Sequence, residues 1–212
     1  MSFETLIKNS FKLYSPYTEG RKPLEKFISK VFKRVYNAEL KFFHQNLLTV
    51  QSEVIEGAIG FSSCENTIFL EQYLDLPIEE EIYRLSMIKT GRHNIAEVGN
   101  LAAIRNGSGA KLMIAMTECL LLYGYKFATF TGTNQIFSIF NKLGYTPMVI
   151  TCAEKDKVSN SNSWGSYYEY SPRVAVADLN ILKSRLLKVN PVDNTELFNE
   201  VRECLVRNLL EA

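Results

Sequence analysis

The strongest constraint on the fold is an apolar run over residues 95–104 that stops at two closely spaced glycines, Gly107 and Gly109. The run predicts a buried strand. The apolar spacing after the glycines predicts a helix over residues 108–123, with Gly124 just beyond its end. A strand, a glycine turn and a helix start can hold a phosphate, because glycines allow close backbone approach and free N–H groups at the helix start face the anion. The same order is also an ordinary strand–helix connection, so both interpretations stay open at this point.

Two polar residues, Glu97 and Asn100, interrupt this apolar run. A half-buried carboxyl group on an apolar strand has a raised pKa, which makes Glu97 a candidate general base. The alternative is a structural Glu97 that pairs with a cation such as Arg92. Asn100 either orients a substrate or closes the strand end. Backbone N–H groups at the end of the strand, those of Ala102 and Ala103, are candidates for polarising a carbonyl group.

Composition and charge exclude several classes of protein. The chain has 212 residues, of which 46% are hydrophobic and 22% are charged, which predicts one globular domain with a proper core. A net charge of +1 provides no electrostatic drive toward nucleic acid or an anionic membrane. No apolar run reaches the roughly 18 residues of a membrane-spanning helix. Residues 1–8 lack the apolar core of a secretion signal, so we expect a cytoplasmic protein.

Cysteine and histidine are too sparse or too widely spaced for a metal centre. The four cysteines suit neither a zinc site nor a disulfide framework, and we expect them to be reduced thiols. The chain has two histidines, which gives poor support for a histidine-based metal site or a Ser-His-Asp site. The sequence therefore predicts no metal and no tightly bound cofactor.

The first half of the chain shows a helix followed by strands. Apolar residues at helical spacing predict an amphipathic helix over residues 24–36, with a basic opposite face. Runs at 47–50 and 54–61 predict a hairpin, and residues 67–74 predict a further strand. A short helix is predicted to open at Pro77, with acidic residues in its first turn.

The second half alternates strands and helices. After the strand and helix already described, the pattern predicts a strand at 126–131, a helix from Asn134 closed by Gly144, and strands at 147–151 and 174–179. The chain ends in helices with an apolar stripe that docks on the body of the protein or on a second copy in a homodimer. The stripe consists of Leu197, Val201, Leu205 and Leu209.

Two segments resemble the GNAT acyltransferases. Residues 107–112, Gly-Ser-Gly-Ala-Lys-Leu, resemble the end of the coenzyme A loop of that fold, which runs Gly-x-Gly-(Ser/Ala)-x-Leu. Residues 134–145 resemble its late helix, which begins with Asn and ends in Lys-Leu-Gly-Phe. The resemblance implies an α+β (mixed α/β) fold: a single GNAT-like domain over residues 1–180 with a mostly antiparallel central sheet and helices on both faces, and a helical extension packed on it over residues 181–212. It also implies a set of residues that bind the thioester donor: Ala102, Ala103, Arg105, Gly107, Ser108, Gly109 and Asn134.

A closer resemblance, over residues 20–180, is to the bacterial family named thermostable hemolysin. Long and unusual segments carry it: Phe-His-Gln-Asn-Leu-Leu at 43–48, Phe-Leu-Glu-Gln-Tyr-Leu-Asp-Leu-Pro-Ile-Glu at 69–79, Glu-Val-Gly-Asn-Leu-Ala at 97–102, Thr-Gly-Thr at 131–133 and Trp-Gly-Ser-Tyr-Tyr at 164–168. The family name implies cell lysis. The fold of the family is similar to that of acyltransferases, including the acyl-homoserine-lactone synthases, whose corresponding strand carries Glu-x-Ser-Arg-Phe.

The chain departs from the GNAT pattern at three places. Ile104 stands where an Arg usually precedes the loop, and Arg105 follows one step later. The loop is also about three residues short by eye, relative to the Gly-rich pattern. Phe140 stands where some GNAT enzymes carry a Tyr acid. The donor is therefore either acyl-coenzyme A or the thioester of an acyl carrier protein, and a standard GNAT proton donor is missing.

The favoured function is acyl transfer from a thioester to a small amine, with Glu97, Asn100 and Arg92 as the catalytic set. Two further groups of residues are predicted to bind substrate. Glu71 and Tyr73, on one face of the predicted strand over residues 67–74, line an acceptor pocket or belong to the core. Aromatic residues wall an acyl-chain pocket or are plain packing; they are Trp164, Tyr167 and Tyr168.

Two other functions stay open. A cytolytic protein needs an amphipathic membrane-binding segment, and the helix over residues 24–36 is the one candidate, although the core needs its apolar face. A non-catalytic module that binds acyl thioesters would keep the glycine turn and have no need of Glu97.

Overall fold

The computed structural model describes residues 10–210, and the side chains of Leu209 and Leu210 are outside that description. The segment on which the expectation about export depends, residues 1–8, lies outside the described residues. Seven strands form one sheet in the order β1-β2-β3-β4-β5-β7-β6. The strands are β1 (Ser10–Tyr14), β2 (Asn46–Gln51), β3 (Ile55–Ser63), β4 (Ile95–Ala103), β5 (Phe127–Gly132), β6 (Met148–Cys152) and β7 (Arg173–Asp178).

Six α-helices cover both faces of this sheet. They are α1 (Arg21–Tyr36), α2 (Ile78–Ser86), α3 (Ser108–Leu122), α4 (Asn134–Lys142), α5 (Leu179–Val189) and α6 (Pro191–Leu210). One core cluster joins one face of the sheet to helices α3, α4, α5 and α6, and two smaller clusters join the other face to α1 and α2. The predicted architecture, a mostly antiparallel sheet with helices on both faces, is confirmed. Within residues 10–210, no helix has the length and apolar character needed to cross a membrane.

The sheet opens in its middle. All neighbouring strands are antiparallel except β4 and β5, which are parallel and pair only over Ile95–Val98 and Phe127–Phe130. Beyond Val98, β4 continues to pair with β3 but no longer with β5. A bulge accompanies this change: Asn100 adopts a left-handed backbone (φ 52°) and the β3–β4 register shifts opposite Ile59. The edges of β4 and β5 are therefore left facing each other without a ladder between them.

Most of the predicted elements are confirmed, and the glycines that end them behave as expected. Gly107 and Gly124 have φ of 85° and 87°, in the left-handed region where glycine is least strained. The apolar face of α1 is buried, at 1% exposure for Leu24 and 0% for Ile28, so this helix belongs to the core.

The prediction of a strand over residues 67–74 is wrong. This segment forms a 3-10 helix, Phe69–Tyr73, with Leu70 and Tyr73 buried. Two carboxylates accept hydrogen bonds from backbone N–H groups at the start of this helix, which a neighbouring strand would accept if the segment were extended. Glu71 accepts from the N–H of Ile68 at 3.1 Å, and Glu97 accepts from the N–H groups of Phe69 and Leu70. Alternation of apolar residues in the sequence cannot reveal caps that come from another strand.

The C-terminal stripe docks on the protein's own body. Helix α6 packs against α3 and β1. Of the stripe, Val201 is buried, Leu197 and Leu205 pack partly buried against the main core cluster, and the side chain of Leu209 is outside the description. Glu118 of α3 is buried and accepts from Lys183 of α5 and Arg202 of α6 at 2.5 and 2.7 Å, which ties the three helices together. The division of the chain into residues 1–180 and 181–212 stays a prediction.

Candidate active site

A cavity of about 460 Å³ occupies the opening between β4 and β5 and is lined from both faces of the sheet. Its inner chamber lies between the sheet and α3, α4 and α5, and its walls are apolar. They include Met113, Met116, Leu120, Ile136, Phe140, Ala177, Leu179 and Leu182. Its outer chamber is polar and aromatic, and its lining comes from the segments around residues 36–44, 69–73 and 158–167. A molecule with a polar head and an apolar tail matches this division.

Glu97 lines the cavity from the last part of β4 that pairs with β5, just before the sheet opens. It is 6% exposed, and its two carboxylate oxygens accept hydrogen bonds from the N–H groups of Leu70 (2.9 Å) and Phe69 (3.3 Å). Burial raises the pKa of Glu97 from 4.5 to about 7, and the two backbone hydrogen bonds offset only part of that effect. The sequence pattern places this acid in the apolar strand, and the tertiary structure places it in the cavity wall.

The alternative pairing of Glu97 with Arg92 is wrong. Arg92 contacts the carboxylates of Glu71 at 2.6 Å and Glu79 at 2.7 Å, and donates to the carbonyl groups of Cys64 and Asn66. No described side chain forms an ion pair with Glu97. Arg92 therefore fixes the loops around α2 and does not contact the proposed base.

Glu71, like Arg92, has a structural role in fixing the loops around α2. This differs from its predicted role in an acceptor pocket. It lies outside the cavity lining, whereas Tyr73, predicted on the same face, does line the cavity. Burial alone would raise the pKa of Glu71, but its hydrogen bonds with Arg92 and with the N–H groups of Ile78 and Ile68 outweigh that effect and hold the pKa below its ordinary value. The two residues separate because a 3-10 helix does not share the alternation of a strand.

Asn100 lines the cavity but its side chain is bonded to the backbone of a neighbouring segment. Its Oδ1 accepts from the N–H of His44 at 2.9 Å, and its Nδ2 donates to the carbonyl of Phe42 at 3.4 Å. Of the two alternatives, closing the strand end is the one that these contacts match.

The predicted N–H donors of Ala102 and Ala103 lie outside the cavity lining. Both residues are paired with β3, and Ala102 is 1% exposed. The residues of β4 that line the cavity next to Glu97 are Val98, Gly99, Asn100 and Leu101, at and before the bulge. The ladder with β3 is interrupted at the bulge and resumes after it, and it uses only alternate N–H groups of β4. A role for the N–H groups of Ala102 and Ala103 stays a prediction.

The glycine turn forms the start of α3 as predicted, but it lies outside the cavity lining. Gly107 is the N-cap residue, and an added Cβ there would meet nothing within 4 Å, so the turn faces open space. Arg105 pairs with Glu56, which is 3% exposed, and the hydroxyl of Ser108 donates to the same carboxylate at 3.4 Å. The sequence analysis did not identify Glu56 as the partner of Arg105 and Ser108. The one local sign of a special role is that Glu56 is the single acid inside the apolar run at 54–61.

Asn134 and Gly109 are also outside the cavity lining. Asn134 opens α4 and its Oδ1 accepts from Arg173 at 3.1 Å. Gly109 packs beside Ile139 on the adjacent helix. A role for these residues in donor binding stays a prediction.

The aromatic cluster forms a wall of the outer chamber. Trp164 and Tyr167 line it and pack at 5.3 Å between ring centroids, and Phe69 packs on Trp164 at 5.7 Å. Tyr168 lies behind the wall, where its hydroxyl bonds that of Tyr73 at 2.8 Å. The apolar inner chamber is instead built by helix residues that the periodicity identifies only as buried.

His44 is a cavity residue that the sequence pattern did not identify. It is 5% exposed and lines the outer chamber next to Gly99 and Asn100. A lone histidine before a strand carries no local signal of its role, because its position depends on residues in β3 and β4.

Comparisons with known proteins identify the family and the fold of this chain. The family model for thermostable hemolysin matches residues 14–181. No curated protein matches the chain by sequence. The structure is similar to FeeM, an N-acyl amino acid synthase from uncultured soil microbes, with a TM-score of 0.58 and 12% identity over 86% of this chain and 98% of that one.

Two further solved structures are similar. The AHL synthase LasI has a TM-score of 0.57 and 11% identity over 82% of this chain and 91% of that one. The coenzyme A-dependent acyl-homoserine lactone synthase BjaI, solved with SAM and isopentyl-CoA, has a TM-score of 0.52 and 14% identity over 84% of this chain and 90% of that one. At these identities the likeness confirms the GNAT-like fold.

Proposed function

The chain belongs to the thermostable hemolysin family, and we propose that it transfers an acyl group from a thioester donor to a small amine. The observation that carries the proposal is the cavity between β4 and β5, which has an apolar part and a polar part and is lined by a buried carboxylate, Glu97. The similar folds include an N-acyl amino acid synthase and acyl-homoserine lactone synthases, which are acyl-transferring enzymes by name.

The inner chamber suits the acyl chain of the donor. Its walls are aliphatic and aromatic side chains, including Met116, Leu120, Phe140 and Leu182, and burial of each methylene there contributes about 0.8 kcal/mol. A chain lying in this chamber brings its thioester carbonyl to the opening in the sheet, beside the bulge at Asn100. The phosphate-bearing part of the donor then extends toward the surface and the start of α3.

The proposed reaction uses Glu97 as the general base. The carboxylate takes a proton from the acceptor amine, whose nitrogen attacks the carbonyl carbon of the thioester. The carbon–nitrogen bond forms, the carbon–sulfur bond breaks, and the sulfur leaves as a thiolate that takes up a proton. A pKa of about 7 suits this role, because the carboxylate is available near neutral pH and is basic enough to hold the proton.

The donor is acyl-coenzyme A or an acyl carrier protein thioester. Both are cytoplasmic compounds, which agrees with the location expected from the sequence. Arg105, the cation at the glycine turn, is already paired with Glu56. A pyrophosphate at the start of α3 would have to compete with that carboxylate for Arg105, whereas a carrier-protein thioester presents a single phosphate.

Binding of donors tests the proposal first. Thermal unfolding is measured with acyl-coenzyme A and acyl carrier thioesters of increasing chain length. A ligand at 100 times its dissociation constant adds about 2.7 kcal/mol, which is visible as a rise in melting temperature. We expect a rise that grows with chain length until the inner chamber is full. No rise with any donor would contradict the proposal.

Turnover then tests the base. Release of free thiol from the donor that binds is measured with a panel of amines, and Glu97→Gln is expected to lower the rate by roughly 10²- to 10⁴-fold. Glu65→Gln, which removes an exposed carboxylate outside the cavity, is the matched control. A Glu97→Gln variant with full activity would exclude Glu97 as the base.

The same measurements separate the other two functions. A non-catalytic binding module would show the donor-dependent rise in melting temperature without turnover by the unsubstituted protein. Direct lysis has weaker structural support, because the apolar face of the candidate helix α1 is buried in the core. Release of a dye from lipid vesicles in the absence of thioesters would favour lysis over acyl transfer.

A further inference from the structure

We propose that His44 is a second catalytic residue, which donates a hydrogen bond from Nε2 to the carbonyl oxygen of the bound thioester while Glu97 accepts the proton of the amine. The inference rests on the proposed function, because the oxygen belongs to the acyl donor. Five features of the structure carry it: a space made for the ring, a favoured tautomer, a clamped backbone, the location of the ring beside Glu97, and its neutral state.

Two glycines make the space for the imidazole. Gly60 of β3 and Gly99 of β4 are directly opposite each other in the ladder. A Cβ added at Gly60 would lie 2.9 Å from the Cβ of His44, and one added at Gly99 would lie 2.6 Å from its Nε2. The ring therefore lies against bare backbone, and no other residue type at these two positions leaves room for it.

The hydrogen bonds of Ser62 favour one tautomer of His44. The Oγ of Ser62 accepts from the N–H of Gln45 at 2.9 Å and lies 3.1 Å from the Nδ1 of His44. No other described group accepts the hydroxyl proton of Ser62. When that proton is donated to Nδ1, the hydroxyl of Ser62 both accepts and donates, and the imidazole proton is on Nε2. Among the described residues nothing bonds Nε2, which is next to the cavity.

A buried arginine clamps the backbone that carries the ring. Arg21, at 8% exposure, donates to the carbonyl groups of His44 (2.6 Å), Gln45 (2.7 Å) and Tyr14 (3.2 Å). The N–H of His44 donates to Asn100 at the bulge. Such anchoring reduces the reorganisation needed when charge develops on a substrate, which is how preorganised donors stabilise an oxyanion.

The imidazole and the carboxylate face the same part of the cavity. Ser62 lies directly opposite Glu97 in the ladder, and Gly99 is two residues beyond Glu97 on the same face of β4. At about 3.3 Å per residue, the ring over Gly99 is one step of about 7 Å from Glu97. A thioester carbonyl and an attacking amine fit between two groups at that spacing, and both residues line the cavity.

The environment keeps the two groups in complementary states. Burial lowers the pKa of His44 to about 4 and raises the pKa of Glu97 to about 7. The imidazole is therefore neutral near neutral pH, where its N–H is a donor and the ring is a weak base. Titratable groups whose environments shift their pKa values in opposite directions have distinct acid and base roles.

Nitrogen NMR of the histidine ring tests the inference without turnover. The chain has two histidines, so His93→Gln assigns the signals. We expect a neutral ring with the proton on Nε2, and a shift of the Nε2 signal on addition of a decanoyl-pantetheine analogue in which a methylene replaces the sulfur. Pantetheine is common to both donor types. A proton on Nδ1, or an unchanged Nε2 signal with the analogue bound, would overturn the role of His44.

Two amide substitutions separate donation from basicity. The side-chain nitrogen of His44→Gln overlaps the Nε2 position and donates without titrating, whereas His44→Asn reaches only the Nδ1 position. Loss of one oxyanion donor lowers kcat by about 10²- to 10³-fold, which we expect for His44→Asn with little change in the donor KM. His44→Gln should recover most of that loss. Equal and severe loss in both folded variants, or full activity of His44→Asn, would exclude the donor role.

Failure of the inference is distinguishable from failure of the proposed function. If no acyl donor raises the melting temperature, the acyltransferase proposal falls, and the role of His44 falls with it. Donors could instead bind and turn over while the His44 variants or the ring nitrogen signals give one of the contradicting results named above. In that case only the role of His44 is wrong.

Discussion

Removal of the Glu97 carboxylate should change how stability depends on pH. Burial raises the pKa of Glu97 from 4.5 to about 7, so between these values the folded protein holds a proton that the unfolded chain releases. Stability from this group is fully present below about pH 4.5 and is lost as pH rises through about 7. A pKa difference of this size, at 1.36 kcal/mol per unit, corresponds to about 3 kcal/mol at high pH.

Glu97→Gln removes this pH dependence but adds a constant cost. The carboxylate accepts from two backbone N–H groups, those of Phe69 and Leu70. An amide accepts from only one of them with its oxygen, and an unpaired buried N–H costs about 1 to 3 kcal/mol. At a single pH, the difference in unfolding free energy between the wild type and Glu97→Gln combines this constant cost with the effect of the pKa. Only the change of that difference with pH reports the pKa of Glu97.

Urea unfolding of both proteins from about pH 5 to about pH 8.5 measures that change. Other titrating groups are shared and cancel in the difference, so the wild type should lose about 2 to 3 kcal/mol relative to Glu97→Gln across this range. The Glu65→Gln control checks the effect of removing one exposed charge. Parallel stability curves for the wild type and Glu97→Gln would show that the pKa of Glu97 is not raised in the folded state, and the argument for a poised base would fail.

Four further substitutions, in three experiments, test the packing of the site. Gly99→Ala places a methyl group 2.6 Å from the imidazole of His44 and should cost about 1 to 3 kcal/mol in urea unfolding; an unchanged midpoint would refute the close packing. Ala128→Leu adds bulk to the cavity wall and should lower turnover of long donors relative to short ones, by about fourfold for each methylene excluded; an unchanged ratio would place the acyl chain elsewhere. Tyr73→Phe and Tyr168→Phe each remove one side of the 2.8 Å hydroxyl pair, and a double-mutant cycle should give a coupling of about 1 kcal/mol, whereas additive effects would contradict the bond.

Local sequence patterns predict much of this fold because they reflect interactions between near neighbours. The apolar run over residues 95–104 is β4, and the helix after the glycines is α3. Gly107 and Gly124 flank α3 and have the left-handed backbone that glycine adopts with least strain at the ends of a helix. Helical periodicity likewise predicts that α1 buries one face. Each of these predictions depends on residues within about one or two helical turns of each other.

Segments whose conformation depends on distant partners are predicted less well. Residues 67–74 alternate like a strand, but Glu97 supplies hydrogen-bond acceptors from another element and a 3-10 helix forms. Arg92 is near Glu97 in sequence and was a reasonable partner. The fold of the loops brings it to Glu71 and Glu79 instead.

The sequence by itself determined most of the elements of this protein, their order, and the acid in the central strand, because these follow from periodicity, glycine stops and the cost of a buried carboxyl group. Only the tertiary structure decided what surrounds that acid. Gly60 and Gly99 are 39 positions apart in the printed chain and become one surface only when β3 pairs with β4. His44 then lies on that surface, and the incomplete pairing of β4 with β5 opens the cavity. Strand register is a long-range property, so no local pattern around His44 contains this information.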